Sequence, residues 1–348
     1  MAVVGGRLLT GLRDVTTDVG ALDSTGTWAV VIPFAGPPVC ARFERNRPAR
    51  PWPGPRWQGP APEAWTSSLD RAGYAAGVGA VRAAIAAGDV YQVNLCRVLS
   101  APLPDHGRHL AVDVGALGAA LAEGNPAPYS AVVRLPAHGV HVASASPERY
   151  LHRVGDIVES RPVKGTAATA GGFLAKDRAE NVMIVDLVRN DLGRVCEWGT
   201  VEVPALCETE AHPGLHHLVS TVRGRLRARV GWTELLAATF PPGSVTGAPK
   251  LAALDAIAGL EPVGRGPYCG AVGWVDADRR GGDLNVAIRT FWVEEGEGVT
   301  AGRPELRFGT GGAVTWDSTP AGEWEETELK ARRLIGLASG AVAVGAGS

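Results

Sequence analysis

At 348 residues the chain has room for one large domain or two ordinary ones. Its 45% hydrophobic and 20% charged residues allow a sizeable core and argue against global disorder. With 34 basic against 36 acidic residues the formal charge is −2, which gives no basis for nucleic acid or an anionic membrane as a partner. No apolar run reaches the roughly 18–20 residues that span a bilayer. The opening MAVVGGRLLTGLRDV has no sustained apolar stretch of the signal-peptide kind. Cys40, Cys96, Cys196, Cys207 and Cys269 are scattered, with no CxxC pair, and read as reduced packing residues. A cytoplasmic globular protein is expected.

Residues 1–70 differ from the rest. Nine prolines fall from Pro33 to Pro62, with Trp52, Trp57 and Trp65 in or beside that stretch, which reads as a wrapping arm or linker. Regular structure is expected to begin near Ala72, with a helix over GYAAGVGAVRAAIAAGD and a strand over YQVNLCRVLSAPL. A helix follows around 110–123. Strand-like runs then come from Tyr129 to Val163. A long helix is predicted from Lys176 to Trp198, burying Val182, Met183, Ile184, Leu187 and Val188. Strands at 200–207 and 216–227, helices at 232–239 and 248–260, strands at 268–276, 284–294 and 305–317, and a charged helix at 321–337 complete the chain. Short connections between successive strands favour antiparallel sheets covered by helices, an α+β fold. The tail ASGAVAVGAGS is expected to fray.

Two acidic pairs share a spacing. Asp177 and Glu180 in KDRAEN, and Glu323 and Glu326 in GEWEETELK, are three residues apart on predicted helices, so each pair shares a face. Facing helices of this kind would form an oxygen-rich cage of the sort that holds Mg²⁺. Ordinary surface charge pairs are the simpler reading of these segments alone. SVTGAPK (244–250) is a glycine turn entering a helix. It can offer backbone donors to an anion, but it lacks the Gly-Lys-Ser/Thr of a P-loop. GTGGA (309–313) is equally open to a tight turn. His212 and His216 are four apart, but Pro213 and Gly214 between them oppose the helix that a zinc pair would need. Lys164, in RPVKGT, ends a predicted strand. It is either solvated or, if desolvated beside a substrate, a nucleophile with a lowered pKa.

The order DVYQVNLCR, SASPERYL, ESRPVKGT, KDRAENVMIVDLVRNDLGRV, HHLVSTVRGRL, TFPPGSVTGAPK, GPYCGAVGW, LNVAIRT and GTGGAVTWDS-EWEETELK resembles the chorismate-utilising enzymes from about Ala72 to Ile335. That resemblance implies two large antiparallel sheets packed face to face with helices outside. Residues 1–70 would then be a short Pro/Trp-rich segment, 71–338 the chorismate-binding catalytic domain and 339–348 a tail. Gln92 stands where the isochorismate and salicylate enzymes have a water-activating lysine. Lys164 stands where anthranilate synthases have alanine and aminodeoxychorismate synthases have lysine. The sequence is therefore similar to the last group, and anthranilate synthase component I is the alternative.

Roles follow by the same resemblance. Lys164 is the covalent nucleophile, and Glu148 and His217 act near the departing C4 oxygen. Glu180 and Glu323 are Mg²⁺ ligands, with Asp177 and Glu326 as second or water-mediated ones. Gly165 and Thr166 offer amides to the ring carboxylate. Tyr268, Arg289, Gly311 and Gly312 form the enolpyruvyl carboxylate site. Thr246, Lys330 and Gln92 line the pocket, and Arg189 and Arg194 support it. Ammonia is expected from a glutaminase subunit, because no glutaminase-like Cys/His/Glu arrangement is identifiable in this chain. The departures are AATAGG after KGT, where basic residues are common, and the lack of an LLES-type segment.

Overall fold

A computed structural model of the chain describes residues 1–104, 113–167, 169–212, 215–296 and 302–341. Strands β1 (Ala2–Val4), β2 (Arg7–Thr16), β3 (Thr27–Ile32), β4 (Val39–Pro48) and β5 (Thr66–Ser67) precede helix α1 (Arg71–Ala87). Next come β6 (Gln92–Pro102), α2 (Val114–Gly124), β7 (Tyr129–Leu135), β8 (Val140–Ser146), β9 (Arg149–Val154), β10 (Ile157–Arg161) and β11 (Val163–Ala167). After α3 (Ala175–Gly193) follow β12 (Glu202–His212), β13 (Leu215–Arg225), α4 (Trp232–Thr239), β14 (Gly247–Ala248) and α5 (Lys250–Leu260). The chain continues through β15 (Ala271–Asp276), β16 (Gly281–Val286), β17 (Thr290–Glu295), β18 (Pro304–Val314) and α6 (Pro320–Ala338).

All strand pairings among the described residues are antiparallel, as the short connections require. One run of strands is β6–β18–β17–β8–β7. The other is β4–β3–β15–β16–β9–β10–β13–β12. The hairpin β1–β2 joins them, because β1 pairs with β7 and β2 with β4. Ala131, Val133 and Val142 of the first run share one buried cluster with Val30, Leu151, Val158, Val222 and Leu284 of the second. The two layers therefore bury their inner faces together, as an α+β two-sheet fold demands. Helices α2 and α6 pack Leu117, Leu121, Leu334 and Leu337 with Phe291 and Phe308. Helices α1 and α5 cover Val93 and Leu95 of β6. Among the described residues no helix is long and apolar enough to cross a membrane, and all five cysteines are free.

The structure departs from the sequence expectation in four places. Regular structure begins at Ala2, not near Ala72. TWAVVI of β3 lacks alternation because it is buried on both faces, and Pro33, Pro37 and Pro38 only punctuate the β3–β4 connection. The arm is confined to about 49–65, where Trp57 Nε1 donates to Ala338 O at 2.6 Å and Trp65 Nε1 to Ser339 Oγ at 2.9 Å. Between this arm, α2, β7 and β8 lies a cavity of about 760 Å³, lined by Trp52, Trp57 and Ala119 among others. The single strand expected at 284–294 is two, broken where Arg289 takes φ +51°. Helix α3 stops at Gly193, and Cys196 instead bridges Leu226. Its buried face is Asn181, Ile184, Val185, Asp191 and Leu192, while Val182 is exposed. The reason is that α3 lies on β13 through Asn181 Nδ2, which donates to Leu218 O at 3.1 Å. Pro213, Gly214 and the tail from 342 onward lie outside the described residues.

Because β1 is the seam between the layers, Val4→Asp, at a fully buried position, should cost roughly 3 kcal/mol or more by leaving a carboxylate unpaired. A shift of the urea midpoint measures it, and an unshifted midpoint would show that the seam is dispensable.

Candidate active site

Lys164 and Glu148 come from different segments of the chain, one on a strand beside the second sheet and one on the crossing between the two sheets. Glu148 lies in the two-residue connection between β8 and β9, and Lys164 on β11, which leaves β10 at Pro162. The Ser146 hydroxyl secures the first bend by donating to Val286 O at 2.6 Å. Lys164 Nζ donates to Ser244 O at 3.1 Å, a neutral acceptor. Burial lowers the pKa of Lys164, with Glu180 and Glu148 opposing it. Glu148 is buried, and loss of hydration pushes its carboxyl up to about 7, against the Ser244 hydroxyl, Lys164 and the Val163 amide. Acid and base are thus shifted toward each other.

Next to β11, Gly165 takes φ +82°, and a Cβ there would stand 3.0 Å from Asp177 Cβ, so the backbone abuts the first turn of α3. Burial raises the Glu180 carboxyl, and the nearby Glu326 and Asp177 charges add to this. On α6, burial raises Glu323, with Ser318 opposing and Glu326 adding. Burial would also raise Glu326, but Lys330 overrides it and holds the group below its usual range. Among the described residues no three carboxylates, histidines or cysteines stand close enough to hold a metal ion. The four-carboxylate cage expected from the sequence is therefore not closed. Asp177 Oδ2 accepts the Leu174 N–H at 2.8 Å as a helix cap, and Glu326 Oε1 is drawn to Lys330 Nζ at 2.6 Å. Glu323 is different. Its Oε1 accepts from Ser318 Oγ at 2.6 Å, but Oε2 is buried without a partner and faces Gly312. An orphaned carboxylate oxygen among hard oxygen donors fits a cation such as Mg²⁺.

The opposite wall is the β6–β18 ladder, where Gly311 pairs with Cys96 and Gly312 with Leu95. Tyr268 is buried, its ring where a side chain on Gly309 would be and its hydroxyl 3.8 Å from Cys96 Sγ. Lys330 Nζ reaches Gly311 O at 2.9 Å. Arg289 is half-buried, burial lowers its pKa, and among the described residues no charge compensates it. Both amide atoms of Gln92 are buried without partners beside β14. The Thr246 hydroxyl is held by Pro242 O and Gly243 O, each at 3.2 Å. His217 is buried on β13, in register with Thr166.

The chain matches the model of the chorismate binding enzymes over residues 46–336. It belongs to that family. It is 38% identical over 284 residues to aminodeoxychorismate synthase component 1 of Salmonella typhimurium, covering 78% of this chain and 59% of that protein. It is 40% identical over 283 residues to anthranilate synthase component 1 1 of Haloarcula marismortui, covering 77% and 54%. The chain therefore spans little more than half the length of these relatives. Among solved structures, a putative 2,3-dihydroxybenzoate-specific isochorismate synthase of Bacillus anthracis superposes with a TM-score of 0.77 at 24% identity, over 97% of this chain and 95% of that one. That likeness concerns the fold.

In this chorismate binding enzyme some neighbours of the site escaped the sequence reading. Toward Lys164, Ser244 offers its carbonyl, so residue type gave no signal for that contact. Lys250 of SVTGAPK does not face a ligand: it donates to Asp191 Oδ2 at 2.6 Å and Thr239 O at 3.2 Å, tying that motif to RNDLGR. Arg189 of RNDLGR gives no support to the pocket, because it is exposed and paired with Asp186 at 2.8 Å.

Glu148 supplies a test with a definite sign. The unfolded chain releases this proton near pH 4.3 and the folded chain near 7, so wild-type stability falls as pH rises between the two. Glu148→Gln should therefore gain on the wild type from pH 5 to pH 8, by up to roughly 3 kcal/mol. Parallel melting-temperature profiles would show that Glu148 is not the buried acid described.

Proposed function

We propose that the chain is the synthase component of an aminodeoxychorismate synthase, converting chorismate and ammonia to 4-amino-4-deoxychorismate, towards para-aminobenzoate, in the cytoplasm. The carrying observation is Lys164: an amine that burial biases to its neutral form, hydrogen-bonded to a carbonyl and coupled to a carboxyl that titrates near 7. In this reading the neutral Lys164 amine adds to C2 of the ring, the two conjugated double bonds shift from C1=C2 and C5=C6 to C1=C6 and C4=C5, and the C4 hydroxyl departs as water with a proton from Glu148, near His217. Ammonia then adds at C4, both double bonds shift back, and the lysine is released. The enolpyruvyl group stays in place. A separate glutaminase subunit is proposed as the ammonia source.

Glu180 and Glu323 would hold Mg²⁺, with Asp177 and Glu326 in support once freed from Leu174 and Lys330. The ion would neutralise the ring carboxylate. The amides of Gly165 and Thr166 address that same carboxylate. Arg289, a cation with no counter-charge among the described residues, suits the enolpyruvyl carboxylate together with Tyr268 and the Gly311–Gly312 backbone. Gln92 offers its unpartnered amide to the ring, and Thr246 and Lys330 line the pocket. The second reading, anthranilate synthase component I, draws on the comparably similar Haloarcula relative. Direct attack of ammonia at C2 would need no lysine.

Lys164→Ala separates the two readings. Formation of aminodeoxychorismate should fall by roughly a hundred-fold or more, with a trace of C2-aminated product, and wild type trapped with chorismate should carry added mass on a Lys164 peptide. Aminodeoxychorismate at the wild-type rate would sink the covalent route, and anthranilate from the wild type would install the second reading. For the metal, Glu180→Ala and Glu323→Ala should each abolish turnover while melting like the wild type, and full activity in excess EDTA would contradict the role given to these carboxylates.

A further inference from the structure

Glu261 and Arg265 take no part in the chemistry proposed above, yet they form a buried ion pair beside the pocket. Their side chains are 6% and 1% exposed, although i, i+4 pairs of this kind usually lie on a helix surface. The pairing is a fork: Arg265 Nε donates to Glu261 Oε2 at 2.8 Å and Nη2 to Oε1 at 2.6 Å. The rest of the guanidinium goes to backbone. Nη1 donates to Val245 O at 2.9 Å and Nη2 to Asn94 O at 2.8 Å. Glu261 Oε1 also accepts the Cys96 N–H at 2.9 Å. The Phe34 ring covers the guanidinium at 4.3 Å.

Each backbone group held in this way adjoins a wall of the pocket. Val245 O belongs to the peptide leading into Thr246. Asn94 O and Cys96 N bracket Leu95, and Gly311 packs so closely there that a Cβ on it would stand 2.5 Å from both Leu95 O and Cys96 Sγ. Arg265 O accepts the Tyr268 N–H at 3.1 Å and so begins the turn that presents the Tyr268 ring. We infer that Glu261 and Arg265 are positioning residues for the substrate pocket, fixing Thr246, Tyr268 and the Gly311–Gly312 strand relative to one another and so governing the binding of an enolpyruvyl-bearing dicarboxylate. This rests on the reading of the pocket as the chorismate site. A buried ion pair adds little net stability and can be replaced by apolar residues of similar volume. What such residues cannot replace is a planar fork that reaches two carbonyls and a carboxylate at once.

The test uses the full chain with Mg²⁺ and saturating ammonium, following chorismate depletion whatever the product, beside melting temperature. Arg265→Lys keeps the charge and loses the fork. The double variant Glu261→Leu/Arg265→Met removes both charges and keeps the volume, and Glu261→Gln is the mildest change. In folded variants KM for chorismate should rise roughly ten-fold, while kcat and KM for ammonium stay within about three-fold of the wild type. Glu261→Gln, which keeps an acceptor for the Cys96 N–H, should lie between. A lower melting temperature and a smaller active fraction with KM for chorismate unchanged would overturn the inference, leaving a purely structural pair. Wild-type protein that leaves chorismate untouched would overturn the chorismate reading itself, an outcome visible before any variant is made.

Discussion

A lysine that acts as a nucleophile has to be desolvated without being drawn into a tight ion pair, since the pair would restore its proton. The connections around β11 meet both conditions. Pro162 has no N–H to continue the ladder, and the register on β13 slips between Val163 and Thr166, so Lys164 leaves the sheet toward the 243–246 turn. There Nζ meets the uncharged Ser244 carbonyl. Glu148 is close enough to be felt, but it is itself deprived of water and titrates near 7. With the acid raised and the base lowered, the gap between the two groups narrows, which favours the neutral amine relative to an exposed lysine. That balance is what a cycle of lysine addition and protonated departure needs, and it depends on exclusion of water by the two packed layers.

The same two layers fix the other wall. On β18, Gly309 makes room for the Tyr268 ring, while Gly311 and Gly312 let α6 and β6 approach from either side. Helix α6 is fastened to β6 by Arg97, whose guanidinium lies 4.2 Å from the Trp324 ring centroid and donates to Thr327 Oγ1 at 3.0 Å. Glu328 receives the same guanidinium, and Thr310 Oγ1 donates to Thr327 O at 3.0 Å. These contacts all lie within two turns of Glu323, Glu326 and Lys330. The α6 carboxylates are therefore mounted on the β6–β18 ladder, and what can change there is the pairing of Glu326 with Lys330.

The helices were legible because their signals are local. Asp70 caps α1 and Gly88 ends it in the left-handed conformation, and Thr319 with Pro320 opens α6. The hairpins from β7 to β11 were legible for the same reason. Strands β1–β4 were not, because what makes them strands is pairing with β7 and β15, far along the chain, and β3 shows no alternation to betray a face. The face of α3 was legible only in part: Ile184 is buried and Val188 packs against the core as expected, but Val182 is exposed, because the helix is also anchored by the polar Asn181, which donates to Leu218 O. At the site, the carboxylate spacing correctly put Glu323 and Glu326 on one helix, but it carried no information that Lys330 and a cap would occupy two of the four carboxylates. Lys164 and Glu148 were joined only through the order of motifs in a family, since nothing local says that two different segments converge. Glu261 and Arg265 have the spacing of a surface pair, and burial is what gives them another meaning.

Overall identity says little about which product is made. Two relatives with different names align at 38% and 40% identity, so identity by itself does not separate the two products. The proposed chemistries differ at one amine. An alanine at 164 would leave Ser244 O without its donor and Glu148 without the cation that offsets its burial, so the acid would shift upward and the pocket would lose the lysine amine beside Glu148. The remaining walls, including the Arg289 cation and the Glu323 carboxylate, would still hold a dicarboxylate ring. Such a pocket suits attack by free ammonia at C2. In the proposed reaction the lysine takes C2 itself, and nitrogen from solution is directed to C4.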